Sequence, residues 1–169
     1  GLPSGNPLTS IMNSLFVMLV FRLAWLTIMR ESDETRMACL KRFDESVTLV
    51  VYGDDHVVNA STEVLQRFNQ HSLMEAFPKI GLTYTSDDKD DKEPPKYRKL
   101  SEVTFLKRSF RLEPRLGKSV APLGLQTLKE VCYYTNKQGS REQITRDNVE
   151  RTFRELALHT GADLSTCLD

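Results

Sequence analysis

The chain has 169 residues, of which 40% are hydrophobic and 27% charged, and its 23 Lys and Arg residues balance 23 Asp and Glu residues. A chain of this size and composition buries a core as one domain or slightly more, which excludes a disordered tail and a collagen-like repeat. The zero net charge excludes a uniformly basic nucleic-acid clamp but leaves local basic patches open.

The first predicted element is a long helix that follows a loop. The first seven residues contain two prolines and two glycines, a composition typical of a tight loop. From Ser10 to about Arg30 the chain is rich in Leu, Met and Phe and lacks Gly and Pro, which predicts a helix capped by Thr9 or Ser10. Its apolar run over residues 15–29 is shorter than the roughly 20 residues of a membrane span, so we predict a buried helix and no transmembrane segment.

The arginine and the aromatic residues of this helix, and the three histidines of the chain, are predicted to have structural roles. Arg22 is expected to pair with a carboxylate or to extend to solvent along apolar surface. The aromatic residues of the helix are expected to form core: Phe16, Phe21 and Trp25. The histidines have no ligand-like spacing, so no catalytic role is predicted for His56, His71 or His159.

A β-hairpin is predicted in the middle of the first half of the chain. Residues 31–46 are polar and mixed in charge, and we predict a solvated connection there. The β-branched run over residues 47–51 then leads into Tyr52-Gly53-Asp54-Asp55, and His56-Val57-Val58 follows. Two short strands around a Gly-Asp turn are the pattern of a β-hairpin.

The remaining elements complete an α+β pattern. A second helix is predicted from Ser61 or Thr62 to about Phe77, and a brief strand over residues 82–85. A second hairpin should pair residues 103–106 with 109–112, and two helices should cover residues 125–135 and 145–159. The order of helix, hairpin, helix, strand, hairpin and helices predicts an α+β fold with a small antiparallel sheet and packed helices.

The adjacent Asp54 and Asp55 at the predicted hairpin tip suggest a cation site. Two neighbouring carboxylates repel each other unless positive charge lies close by. Carboxylate oxygens suit Mg²⁺, which usually takes one or two of them and completes its octahedron with water and phosphate oxygens. Gly53 permits a sharp turn beside a bulky substrate. A solvated hairpin turn has a similar composition, so these residues alone leave both interpretations open.

Four segments together resemble the viral RNA-dependent RNA polymerases. Tyr52-Gly53-Asp54-Asp55 after a β-branched run resembles motif C of that family. Other segments resemble motifs B, D and E in the family's order: Pro3-Ser4-Gly5 with Thr9 and Asn13, Gly81-Leu82-Thr83-Tyr84-Thr85 with Lys89, and Phe105-Leu106-Lys107-Arg108. The strings are most similar to the picornavirus-like superfamily, which includes dicistroviruses and iflaviruses. The resemblance implies a partial polymerase palm over residues 1–112, followed by the helical start of the thumb over residues 113–169.

The resemblance implies two-metal nucleotidyl transfer on an RNA template. Asp54 would be the main metal ligand, supported by Asp55, with Mg²⁺ as the cofactor and Mn²⁺ as a possible substitute. Lys89 would act as the general acid that protonates the leaving pyrophosphate. These three residues are therefore the implied catalytic set.

Nucleotide and primer contacts are also implied. Ser4 and Gly5 would approach the templating base pair, and Thr9 and Asn13 would contact the ribose. Because Thr9 and Asn13 are four residues apart, they share one helix face, where a hydroxyl and an amide suit a 2′-OH. The implied contacts to the primer backbone come from the motif E pair, Lys107 and Arg108.

The chain is predicted to be a fragment. It begins with Gly rather than Met, and the family's motif A, which carries the first metal-binding Asp, would lie upstream together with the basic fingers segment. We therefore expect the chain to be inactive alone. Its implied partners are the RNA template and primer, nucleoside triphosphates and the rest of the polymerase. The resemblance also implies the host-cell cytoplasm, at membrane-associated replication complexes.

Two other functions remain open from the sequence. Reverse transcriptases carry Tyr-x-Asp-Asp at the same hairpin, although Gly53 and the Thr9 and Asn13 pair favour an RNA polymerase. A non-catalytic RNA-binding module could instead use the basic stretch over residues 92–118. Such a module would bind RNA in a salt-sensitive manner without any requirement for Mg²⁺.

Overall fold

The computed structural model describes Asn6 and residues 8–85, 94–131, 133 and 140–160. The chain divides into two compact units, Gly1–Arg98 and Lys99–Asp169. Helices alternate with two-stranded antiparallel sheets, which confirms the predicted α+β class. The functional boundary between palm and thumb segments at residues 112 and 113 stays a prediction.

Within its described residues, the first unit contains three helices and one hairpin. The elements in chain order are α1 (Thr9–Met29), α2 (Arg36–Ser46), β1 (Val47–Tyr52), β2 (Asp55–Ala60) and α3 (Gln70–Lys79). Strands β1 and β2 pair in register from Val47 with Ala60 to Tyr52 with Asp55. The predicted long helix and the predicted first hairpin are both confirmed.

The start of α1 corrects the predicted cap. The helix already begins at Thr9, and Leu8 at the cap position has no side chain that accepts a hydrogen bond. Asn6 caps the helix instead, because its Oδ1 accepts a hydrogen bond from the Leu8 amide at 2.9 Å and its carbonyl accepts one from the Thr9 amide at 3.0 Å. The capping residue therefore lies three to four residues earlier than the hydroxyl pattern predicted.

Residues 36–46 form a helix, so the predicted solvated connection was wrong there. The segment is polar overall, but Cys39 and Phe43, four residues apart, lie on one helix face and are buried. The hydroxyl of Thr35 accepts from the Ala38 amide at 3.2 Å and caps the helix. Two buried positions in eleven residues were enough to anchor this helix to the core.

Helix α3 begins nine residues later than the earliest predicted cap. Residues 62–68 form turns, although Val64 and Phe68 within them are buried as core. The helix starts at a capping box in which Asn69 accepts from backbone amides and Ser72 accepts from the Asn69 amide. Pro78 lies in its last turn rather than ending it. The strand predicted over residues 82–85 is absent, and these residues are irregular.

Aromatic side chains form the core of the first unit. Trp25 is 0% exposed, lies edge-on to Phe43 and Phe68 at centroid distances of 5.5 and 4.9 Å, and donates its indole N–H to the Cys39 carbonyl at 2.8 Å. Phe21 is equally buried, whereas Phe16 is 55% exposed, so the core prediction was wrong for Phe16.

Arg22 pairs with Asp44 at 2.8 Å, as predicted.

By length and composition alone α1 is also able to cross a membrane, with 22% of its most apolar window buried. Its buried residues belong to the second half of the helix and form part of the aromatic core: Val20, Phe21, Ala24, Trp25 and Met29. The second half of α1 therefore packs as a core helix, whereas large apolar side chains of the first half are exposed, among them Ile11, Leu15 and Leu19. The prediction of a buried helix was wrong for that first half, and the absence of a transmembrane segment stays a prediction.

In the part of the second unit that the structure describes, there are small hairpins and two α-helices. A single 3₁₀ turn (Leu100–Glu102) leads into β3 (Thr104–Phe105), β4 (Arg108–Ser109), β5 (Arg111–Glu113), β6 (Lys118–Val120), α4 (Leu125–Val131) and α5 (Arg141–Leu156). The predicted second hairpin is correct only at its tip, where β3 pairs with β4. Residues 111–113 pair instead with residues 118–120, because Gly117 at φ +59° closes a further turn.

Candidate functional site

The two aspartates lie at the tip of the first hairpin. Tyr52 and Asp55 form its last cross-strand pair, so Gly53 and Asp54 are the two central residues of the turn. Gly53 has φ +66°, a conformation that glycine adopts without the strain of a Cβ atom. Gly53 is buried, while Asp54 and Asp55 are both exposed. The turn therefore exposes two adjacent aspartate side chains to solvent, while the preceding Gly53 is buried.

Helix α1 holds this turn through Ser14. The Gly53 amide donates to the Ser14 hydroxyl oxygen at 2.8 Å, and that hydroxyl donates to the Ser10 carbonyl one helical turn earlier at 2.7 Å. Ser14 was not predicted from the sequence as a residue of the site. A hydroxyl within an otherwise apolar helix is a weak signal, since most such groups bond back only to their own helix.

His56 supports the turn from the other side. Its Nδ1 lies 3.0 Å from the Asp54 carbonyl oxygen. Because a carbonyl oxygen only accepts, Nδ1 carries the hydrogen in this contact. The imidazole ring also packs edge-on to Phe21 of α1 at a centroid distance of 4.9 Å and lies 5.8 Å from Tyr84. His56 therefore joins the hairpin tip to the aromatic core.

The turn fits part of a magnesium site. Two adjacent exposed carboxylates match the one or two that Mg²⁺ takes from protein, with water and phosphate oxygens as its other ligands. Among the residues that the structure describes, no group of three or more His, Cys, Asp or Glu side chains is placed to hold a metal ion. A site for two ions would therefore need a further acidic residue beyond this described set.

The residues expected to contact ribose lie on the end of α1 that meets the turn. Thr9 and Asn13 are both partly exposed and are separated by one helical turn. Asn13 directly precedes Ser14, so the hydrogen bond from Gly53 brings this end of α1 against the acidic turn. The other predicted residues, Ser4, Gly5 and Lys89, lie outside the described part of the chain.

The second hairpin presents Lys107 at its tip. Leu106 and Lys107 have φ values of +52° and +62°, the conformation of a type I′ turn, and Lys107 is exposed. Non-glycine residues are strained in this region, by about 1–2 kcal/mol each. This hairpin therefore keeps its geometry only if its flanking residues are firmly held.

Arg108 provides such an anchor. Its guanidinium forms a two-pronged ion pair with Glu155 of α5, at 2.9 Å for Nη1–Oε2 and 2.7 Å for Nη2–Oε1, and Nη1 also donates to the Ala121 carbonyl at 2.8 Å. The ammonium of Lys107 faces solvent, while the guanidinium of Arg108 is engaged within its own unit. That Arg108 contacts RNA stays a prediction.

The ion pair makes stability depend on pH. Hydrogen bonding to Arg108 lowers the pKa of Glu155, and burial opposes this effect. A carboxyl whose folded pKa is depressed stabilises the fold above its unfolded pKa of about 4.3, and that stabilisation is lost as pH falls through the folded pKa. Glu155→Gln should therefore lower the free energy of unfolding of the second unit by about 1 kcal/mol at pH 7, because both partners are partly exposed.

Urea denaturation at pH 7 and pH 3 measures this effect, and the difference from the unmodified chain should shrink at pH 3. Glu150→Gln is the matched control, since Glu150 lies on the same helix and pairs with Arg154 in an exposed contact. Equal losses for both variants, or a loss that does not change with pH, would contradict the prediction.

Comparisons with known proteins extend along nearly the whole chain. A family model described as viral RNA-dependent RNA polymerase matches residues 1–166. The replicase polyprotein of Drosophila C virus is 37% identical over 157 residues, and that of cricket paralysis virus is 34% identical over 157 residues; each match covers 93% of this chain and 9% of the polyprotein. The RNA1 polyprotein of Andean potato mottle virus is 34% identical over 166 residues, which is 98% of this chain and 22% of that polyprotein.

Proposed function

This chain belongs to the family of viral RNA-dependent RNA polymerases, and we propose that it is the part of such an enzyme that presents the catalytic aspartates for two-metal nucleotidyl transfer. The chain spans about a tenth of the length of the dicistrovirus polyproteins it matches. The activity, the RNA template and primer, the nucleoside triphosphates and the remainder of the polymerase chain are therefore proposed for the whole enzyme. We also propose that this enzyme acts in the host-cell cytoplasm, at membrane-associated replication complexes.

One observation carries the proposal. The exposed Asp54–Asp55 turn and the end of α1 with Thr9 and Asn13 lie against each other, joined by the hydrogen bond from Gly53 to Ser14. Nucleotide addition on RNA needs carboxylates beside the triphosphate and hydrogen-bonding groups beside the ribose 2′-OH. Motifs separated in the sequence thus meet at one place in the fold.

The carboxylates of Asp54 and Asp55 would hold divalent ions, with Mg²⁺ as the natural cofactor and Mn²⁺ as a possible substitute. Such ions, when bound, neutralise charge on the triphosphate and favour attack by the primer 3′-hydroxyl on the α-phosphate. Asp54 is the main ligand in this proposal and Asp55 supports it. Gly53 contributes by keeping the turn tight, so that both side chains extend from one point.

Other residues would bind and orient the substrates. Thr9 and Asn13 would hydrogen-bond the ribose, and Ser4 and Gly5, which precede α1 in the sequence, would lie near the templating base pair. Lys89 would donate a proton to the leaving pyrophosphate, a contribution typically worth about 10²–10⁴-fold in rate.

The motif E hairpin would hold the primer strand. Lys107 at the exposed tip is the proposed phosphate contact, in a position that suits a charge-based contact without sequence reading. Arg108 is proposed to act with it at the primer backbone. Its ion pair with Glu155 means that it also keeps the strained turn in place.

The complete polymerase should incorporate ribonucleotides on an RNA template, whereas the 169-residue chain alone should be inactive. In this proposal two ions need a further carboxylate besides those of Asp54 and Asp55. A primer-extension assay of the complete polymerase and of the 169-residue chain, run with either Mg²⁺ or Mn²⁺, measures both activities. In the complete enzyme the assay also compares ribonucleotides with deoxyribonucleotides. Robust template-dependent incorporation by the chain alone would contradict the fragment proposal, and a complete enzyme that accepts both sugars equally would contradict the proposed role of Thr9 and Asn13.

The whole-chain match to the RNA polymerase family decides against the reverse transcriptase alternative. The exposed Lys107 keeps RNA binding without catalysis as a second candidate. That function predicts RNA binding that weakens with salt, needs no Mg²⁺ and does not change when Asp54 is substituted. Primer extension and RNA binding, measured with and without the Asp54 substitution, therefore separate nucleotidyl transfer from RNA binding without catalysis.

A further inference from the structure

We propose that Ser14 is a positioning residue that couples the ribose-contacting end of α1 to the metal-binding turn. This inference rests on the proposed function, since it concerns how that site is held together. Ser14 would touch neither the nucleotide nor the metal ions. Its effect would pass through the backbone of Gly53 to the neighbouring Asp54.

The hydrogen bonds of Ser14 have determined directions. Its hydroxyl has one hydrogen, which it donates to the Ser10 carbonyl at 2.7 Å, so its oxygen lone pairs remain for the Gly53 amide at 2.8 Å. The first contact orients the hydroxyl within α1, and the second joins it to a residue 39 positions later in the chain. A side chain that both donates to its helix and accepts from a turn links the two elements with little rotational freedom.

The amide that Ser14 satisfies lies at a sensitive point. Gly53 is buried and immediately precedes Asp54 in the turn. A buried amide that loses its partner costs about 1–3 kcal/mol. The turn would relieve this cost by moving its backbone toward water, and that movement would displace the Asp54 carboxylate.

The same helix end carries the proposed ribose contacts. Asn13 is the residue before Ser14, and Thr9 lies one turn earlier on a continuous helix. The spacing between these side chains and the acidic turn is therefore fixed through Ser14. Correct spacing matters for rate, because a displacement of about 1 Å at an active site can cost roughly 100-fold.

The fold itself does not depend on this link alone. His56 still bonds the Asp54 carbonyl and packs against Phe21, and the register of β1 with β2 is independent of the side chain of Ser14. Alanine also has a higher helix propensity than serine. Loss of the hydroxyl should consequently loosen the tip of the hairpin and leave the first unit folded.

The test is Ser14→Ala in the complete polymerase, assayed by primer extension with ribo- and deoxyribonucleotides. We expect kcat for ribonucleotides to fall about 10- to 100-fold, the preference for ribonucleotides to shrink several-fold, and RNA affinity and Tm to stay close to those of the unmodified enzyme. Ser14→Thr, which retains the hydroxyl, should recover part of kcat. Thr27→Ala is the matched control, because Thr27 on the same helix donates to the Leu23 carbonyl at 2.9 Å and is exposed at a distance from the turn.

The outcomes separate this inference from the proposed function. If the unmodified enzyme is active, Asp54→Asn is inactive and Ser14→Ala retains full kcat and sugar preference, the role of Ser14 is overturned while the function stands. A fall in kcat and Tm with an unchanged sugar preference, or an equal defect in Ser14→Thr, also overturns it. If Asp54→Asn remains active, the proposed function itself fails.

Discussion

Asp54→Asn in the complete polymerase should abolish ribonucleotide incorporation while leaving RNA binding nearly unchanged. The substitution keeps the size of the side chain and removes the negative charge of the proposed main metal ligand. Partners that only support a metal ligand are worth about 10–100-fold, so we expect the loss of the ligand itself to exceed roughly 10³-fold. RNA binding should persist because it is proposed to rest on basic groups such as Lys107, which are remote from this turn in the sequence.

Single-nucleotide incorporation and RNA affinity, both measured in Mg²⁺ and in Mn²⁺, test this expectation. Asp33→Asn is the matched control, since Asp33 is an exposed carboxylate in the connection between α1 and α2. Asp55→Asn should cause a smaller loss than Asp54→Asn, because Asp55 supports the site. Incorporation by Asp54→Asn at the rate of Asp33→Asn would remove the metal assignment.

Trp25→Ala should remove a large share of the stability of the first unit. Trp25 is completely buried, packs on Phe43 and Phe68, and supplies the hydrogen bond to the Cys39 carbonyl that joins α1 to α2. Truncating a buried tryptophan typically costs about 3–5 kcal/mol. The total stability of a small domain is only about 5–15 kcal/mol, so this loss removes a large share of it.

Urea unfolding of the 169-residue chain, followed by circular dichroism, measures the change, because the substitution removes the single tryptophan of the chain. Phe16→Ala is the matched control on the same helix, since Phe16 is 55% exposed and should cost less than about 1 kcal/mol. Trp25→Phe should have an intermediate effect, because it keeps an aromatic ring and leaves the Cys39 carbonyl without its donor. Equal destabilisation by Trp25→Ala and Phe16→Ala would contradict the assignment of the core.

Elements with strong local signals were predictable. The span of α1 follows from a run without Gly or Pro, and the first hairpin follows from a β-branched run before a Gly-Asp turn. Helix α2 was missed because its average composition is polar and only Cys39 and Phe43 anchor it. The second hairpin was predicted too long, since a turn at Gly117 offered residues 111–113 a different partner strand. Strand pairing depends on which partner is closer, which propensity does not determine.

The candidate site, like the fold, has features that the sequence predicted and features that it did not. Its acidic turn and the shared helix face of Thr9 and Asn13 were readable from spacing, because a two-residue turn and a helical period are local properties. The side chains that hold these elements were not readable. Ser14 bonds a residue 39 positions away, and Glu155 bonds one 47 positions away.

The amino-acid sequence by itself therefore determined the elements with a strong local pattern, α1 and the first hairpin, and the chemistry that each of them carries. Only the tertiary structure decided that the hydroxyl of Ser14 meets the Gly53 amide, that Phe16 stays exposed while Trp25 is buried, and that Arg108 binds Glu155. The physical reason is the distance along the chain over which each interaction acts. Backbone preference acts over a few residues, whereas the partner of a side chain is set by the packing of elements that are distant along the chain.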